Sequence, residues 1–177
     1  MSNLLNRIVR ASRLDVHLYE EVEADTKALG QAMGVVILSS IAAGIGSIAQ
    51  AGLRGLLLGT IGALVGWVVW AYLTYFIGTK ILPEPQTRSH PTELLRTIGF
   101  SSSPGFIRLL GIIPGLMGIV FFVASIWMMV AMVIAVRQAL DYKSTFRAIG
   151  VCVIGWIIQL VILAVLFSIV GGVGKPV

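Results

Sequence analysis

The chain has 177 residues, 57% of them hydrophobic and 12% charged, with a formal net charge of +5. Its mean hydropathy is +0.95. A soluble domain carries about twice that charged fraction, and here the apolar residues fall in long runs, so composition excludes a soluble fold and points to an all-α polytopic membrane protein.

Residues 1–28 form a cytoplasmic amphipathic and acidic segment. In "SNLLNRIVRASR" one helical face carries Leu4, Leu5, Ile8 and Val9, and the other carries Arg7, Arg10 and Arg13. That pattern suits a helix in the membrane interface with its three arginines on anionic lipid, or one packed on its own chain. The acidic run "LYEEVEAD" follows, and Asp25 is placed to cap the helix after it. Residues 1–29 lack the apolar core of a cleavable signal peptide.

Residues 29–170 read as a membrane domain of five spans, each near the length that crosses a bilayer. The first is 29–49 and the second 55–78. A link with three prolines, "TKILPEPQTRSHPTE", comes next. Residues 94–136 are too long for one crossing, and Pro114–Gly115 supplies a turn, which gives spans at 94–113 and 115–136. The fifth is 149–170, and residues 171–177 form a flexible tail. With the N-terminus inside, Arg7, Arg10, Arg13, Lys27, Lys80, Arg88, Arg96, Arg137, Lys143 and Arg147 lie at cytoplasmic ends or loops, and only Arg54, Arg108 and Lys175 fall outside. This ten-to-three bias predicts a cytoplasmic N-terminus and an external C-terminus.

All eight acidic residues lie outside the spans, whereas proton-coupled carriers usually keep an ionisable group near the midplane. His17 and His90 have no ligand-spaced partners, so neither a metal site nor a cofactor is expected. Cys152 reads as a small buried hydrophobe. No nucleophile–base set is present, and no catalytic residue is assigned. The aromatics lie mostly inside apolar runs rather than on a basic face, which argues against nucleic acid as a partner.

Small residues mark where helices can approach. Gly55, Gly59, Gly62 and Gly66 form a ridge on the second span, suited to packing within the chain or to association with a second one. Gln159, mid-way along the fifth span, is expected to hydrogen-bond to another helix. Trp67, Trp70, Tyr72 and Tyr75 suit an interfacial belt.

The third span contains "GFSSSPGFIR". Pro104 lacks an N–H and frees carbonyls one turn back, which Ser101, Ser102 and Ser103 can rebond locally. The span should therefore be kinked or partly unwound between Gly99 and Gly105 and buried among its neighbours. Arg108 is expected to snorkel outward, because a central arginine costs about 2.5–3.5 kcal/mol on insertion scales. A broken helix beside an arginine also suits a binding site in a carrier.

Gly99, Phe100, Ser101, Ser102, Ser103 and Pro104 match a glycine–aromatic–three residues–proline signature, with phenylalanine where tyrosine is usual. With "LYEEVEADTKALGQA" and "SIWMMVAMVIAVRQALDYKSTFRAIGVCVIGW", they make the chain resemble the Yip family, five-span membrane proteins named for interaction with Rab-type GTPases. The chain lacks the aspartate–leucine–x–glycine–proline element of eukaryotic members and resembles the short prokaryotic form. The resemblance implies a multi-pass protein of a bacterial cytoplasmic membrane. Its expected role is non-enzymatic: binding other membrane proteins, self-associating, or organising lipid. The alternative is a small transporter or channel with a pathway at the broken third span.

Overall fold

The computed structural model describes the backbone of residues 4–172, and side chains of residues 4–162 and Ala164. Among them every regular element is helical. Two short helices, α1 (Leu4–Ser12) and α2 (Val16–Ala24), precede α3 (Ala28–Gly46) and α4 (Ile48–Phe76). A π turn over Ile77–Ile81 closes α4. After the proline-rich link, α5 (Pro91–Ser101) passes into a 3₁₀ helix (Ser103–Ile112). The long helices α6 (Met117–Ala139) and α7 (Thr145–Gly172) complete the order. The expected tail over 171–177 lies almost wholly outside the described residues.

Four segments are long and apolar enough to cross a membrane: Ala28–Gly46, Ile48–Ile81, Met117–Ala139 and Thr145–Ile162. They correspond to the first, second, fourth and fifth expected spans. The second begins earlier than expected, at Ile48, because a break at Gly52 (φ 60°) joins a short turn to the main helix. That backbone conformation favours glycine. The turn expected at Pro114–Gly115 is present: Gly115 has φ 85°, and the Leu116 N–H donates to Ile113 O at 3.1 Å.

The third expected span is two helices of different pitch. Eleven α residues followed by ten 3₁₀ residues reach about 36 Å at 1.5 and 2.0 Å rise per residue. This segment runs parallel to α3, and small residues hold the two together. Ala32, Ser39 and Gly46 recur every seven residues on α3; Gly99, Gly105 and Gly111 recur every six on the partner. Seven α residues rise about 10.5 Å and six 3₁₀ residues about 12 Å, so the two series stay nearly in step. A Cβ on Gly99 would lie 2.7 Å from the Ala32 side chain, and one on Gly111 would lie 2.9 Å from Gly46 O. Gly105 abuts the Ser39 hydroxyl, and Gly46 abuts the backbone carbonyl of Arg108. Such close approach lets dispersion hold helices together in lipid.

One end of the bundle is polar and cross-linked. Arg96 is buried and donates to the Val22 carbonyl at 2.9 Å and to the Glu23 carbonyl, closing the C-terminal end of α2. The α6–α7 turn is tied to the link: Lys143 N donates to Glu84 Oε2 at 3.0 Å, and the Tyr142 hydroxyl donates to Leu82 O at 2.7 Å. Gln138 bonds Glu20 at 2.8 Å. His90 starts α5 with a capping box, its N–H donating to Glu93 at 2.8 Å. Segments 4–24, 82–90 and 140–144 therefore gather at one end.

Within that end, Arg7 is buried and α1 turns its arginine side inward. The Arg7 guanidinium meets Glu21 and Asp25, both at 2.9 Å, and donates to Gln31 Oε1 at 2.8 Å. Arg10 pairs with Asp15 at 2.7 Å and Glu21 at 2.5 Å. Leu5 and Val9 face outward, and Arg13 is exposed. The acidic run lies one short turn away from α1, so the arginines reach carboxylates of their own chain. Asp25 accepts from Lys27 N at 3.0 Å, just ahead of α3, and binds Arg7 as well. His17 contacts Glu20 at 3.5 Å.

Candidate functional site

Where the third segment changes pitch, its backbone is rebonded locally. Ser102 N–H donates to Gly99 O at 3.2 Å and Gly105 N–H donates to Ser102 O at 3.0 Å. The Ser101 hydroxyl donates to Ile98 O at 2.7 Å. Pro104 sits in the first turn of the 3₁₀ helix, where a missing N–H costs little. Phe100, Ser101, Ser103, Pro104 and Gly105 are all buried. The break is thus a change of helix type held by neighbours on several sides. The Ser103 hydroxyl is buried without a hydrogen-bond partner among the described residues.

Beside the broken segment lies a cavity of about 280 Å³ among the long helices. Val36, Ser39 and Ser40 of α3 line it, with Ala63, Gly66, Trp67 and Trp70 of α4. The broken segment adds Ile98, Ser102 and Arg108; α6 adds Met128 and Met132; α7 adds Trp156 and Gln159. Trp67 is anchored by its indole N–H, which donates to Leu95 O at 2.9 Å. Trp70 stacks on Trp156 with ring centroids 6.3 Å apart. Gly155 makes room for this stack, since a Cβ there would lie 2.9 Å from the Trp70 ring.

Arg108 departs from expectation. Its guanidinium lies over the Phe121 ring, 5.5 Å from the centroid, with Nη2 3.5 Å from the Ser125 hydroxyl. It lines the cavity rather than running out along the lipid, because a cation–π face and polar space lie to its side. Its Nε is buried and has no hydrogen-bond partner among the described residues, as is the case for Trp70 Nε1. Gln159 is exposed toward the cavity, and its amide makes no hydrogen bond to another helix among the described residues. Among the described residues no carboxylate lines the cavity.

The other sequence-marked residues lie elsewhere. Among the described residues nothing lies within 4 Å of a Cβ built on Gly59, Gly62 or Gly66, and Gly55 meets only Ala51 of its own helix. The ridge on α4 therefore faces outward, apart from Gly66 at the cavity wall. Trp67 and Trp70 are buried between helices rather than spread along an interface. Their three-residue spacing, together with Gly66, was the readable signal of an inward face. Arg108 and Gln159, polar residues inside spans, were the other.

The family model described as the Yip1 domain matches residues 19–167, from α2 into α7. The chain belongs to the Yip1 family. No curated protein and no solved structure matches it. In this Yip1 chain the segment 99–104 ends α5, begins the 3₁₀ helix and touches α3 at Ala32 and α6 at Met132, and the matched residues include every described side chain that lines the cavity. Helix α1 lies outside the matched residues.

Proposed function

We propose that this Yip1-family protein acts without catalysis of its own, by associating with other membrane helices through α4. The observation that carries this reading is the outward ridge Gly55, Gly59 and Gly62, which meets no other helix among the described residues. Glycine exposed to lipid gives little packing to acyl chains but lets a second helix approach closely. The occupant is another membrane protein or a second copy. On this reading the chain crosses a bacterial cytoplasmic membrane five times, N-terminus inside and C-terminus outside. Supporting it are the length of the α5–3₁₀ segment, its parallel course beside α3, and the basic residues gathered at the polar end. Contact with anionic lipid then falls chiefly to Arg13, since Arg7 and Arg10 are engaged by carboxylates.

A photocrosslinking residue placed at Gly59 or Gly62 in native membranes tests this. A defined protein adduct is expected there and not at Phe122, an exposed position on α6. Replacing Gly62 by Leu should then abolish co-purification of the adduct's partner. A protein that gives no adduct from α4 and purifies as a lone monomer contradicts the reading. The alternative, solute passage at the broken third span, draws on the cavity.

A further inference from the structure

A separate groove runs between α1 and the 3₁₀ helix. Leu5, Ile8 and Val9 of α1 line it with Phe106 of the 3₁₀ helix, Leu38 of α3 and Trp127 of α6. Its volume is about 410 Å³, within the usual range of about 300–1,000 Å³ for a small-molecule site. Leu5, Val9 and Leu38 are exposed, so the groove opens to whatever surrounds the helices. Arg13 is the one charged residue among its described lining. One hydrogen bond sets the depth: the Trp127 indole N–H donates to Ser12 O at 2.8 Å, tying the end of α1 to α6. Trp127 stands ten residues from Met117 and twelve from Ala139, about 15 and 18 Å from the two ends of the helix at 1.5 Å rise. That helix is long and apolar enough to cross a membrane. Arg13 is the next residue after Ser12, and it is exposed. The acidic groups nearest in sequence are held by other arginines: Asp15 by Arg10 at 2.7 Å, Glu21 by Arg7 and Arg10, Asp25 by Arg7 at 2.9 Å. Among the described residues the Arg13 guanidinium has no ion pair. An exposed cation part-way down a span needs a counter-ion or water drawn in to it.

We propose that this groove holds one acyl chain of an anionic phospholipid whose phosphate pairs with Arg13. The guanidinium supplies charge-assisted hydrogen bonds to the phosphate, and the apolar walls take the chain. A partner helix suits the groove less well. One helical turn, about 10 Å across and 5.4 Å high, takes up about the whole volume, whereas an acyl chain enters with no polar backbone to satisfy. The inference rests on the reading that puts α6 across the membrane and Arg13 against anionic lipid. It is independent of the α4 ridge, so either can fail alone.

The test uses the full-length protein in nanodiscs of phosphatidylcholine with a minor share of phosphatidylglycerol. A compact diazirine side chain replaces Leu38 in the groove or, as a control, Phe122 on the exposed side of α6. Mass spectrometry of the adducts after illumination is the readout. At Leu38, phosphatidylglycerol adducts are expected at roughly fivefold over their bulk share; at Phe122 they should match it. Arg13→Gln should return the Leu38 ratio to the bulk share, and Arg13→Lys should keep part of the enrichment, because it keeps the charge and loses the fork. Val9→Trp, which fills the groove from an exposed position, should cut the yield of both lipid adducts several-fold. Thermal unfolding checks that each variant folds; Arg13 and Val9 are both exposed, so either variant serves if the other fails. The proposal is overturned if Leu38 labels lipid at the bulk ratio, or if neither folded variant changes the labelling. Lipid adducts at Phe122 but none at Leu38 overturn the site alone; none at either position overturn it together with the placement of α6 in the membrane.

Discussion

At the scale of single residues, the buried charges decide how the polar end holds together. Arg7 binds two carboxylates and an amide while itself buried, so removing it takes a buried cation from both, leaving Glu21 to Arg10 and Asp25 to the Lys27 N–H. Those carboxylates are about one-third exposed, at 33% and 32%, and solvent offsets part of the loss. Arg7→Met should therefore lower stability by about 1–3 kcal/mol, whereas Arg13→Met should fall within about 0.5 kcal/mol of the parent. Thermal unfolding in one detergent measures both; equal effects would contradict the buried network. Glu23 carries a pH signature. Burial pushes its carboxyl up to about 7, helped by Asp141 and Glu93 and opposed by Arg96. The folded protein then binds a proton that the unfolded chain releases near the ordinary glutamate range. The contribution of Glu23 is full below pH 4.5 and is lost as pH rises through about 7. Melting temperature should fall over that window, and Glu23→Gln should flatten the fall. A variant with the parent's slope would show that Glu23 titrates normally.

At the scale of elements, α3 and the broken third segment are matched by small residues on two different pitches. Gly46 faces the Arg108 carbonyl, which cannot move aside as a flexible side chain would. Gly46→Ala should destabilise by about 1–3 kcal/mol through overpacking. Gly59→Ala meets open space and should be neutral or stabilising by up to about 1 kcal/mol in the isolated protein. Reversal of that order in detergent melts would place the tight seam elsewhere. The sequence made the break legible because Gly99, Ser101–Ser103 and Pro104 are poor helix material. It did not reveal the 3₁₀ form, which depends on α3 presenting Ala32, Ser39 and Gly46 in register. Local propensity carries no record of a partner's spacing. The same limit explains Arg108: its chain position near a span end favours snorkelling, and only tertiary placement of Phe121 and Ser125 turns it aside. For α1 the periodic pattern was readable, but the direction of its arginine face depended on carboxylates folded back from α2.

At the scale of the whole molecule, the order of helices followed from apolar run lengths, and the turn at Gly115 from its dipeptide. The cavity was not legible, since it exists where five separate elements meet. Gly59 and Gly62 were visible as a ridge, yet whether a ridge faces inward is settled by the packing of every other helix. The central claim is that α5 and the 3₁₀ helix together make one full crossing, although neither is long enough alone. The parity of crossings tests it. Reporter fusions to both termini, one active only inside and one only outside the membrane, read each end independently. Five crossings predict an N-terminus inside and a C-terminus outside. Both termini on the same side would mean an even number of crossings, and would show that the broken segment does not traverse the bilayer.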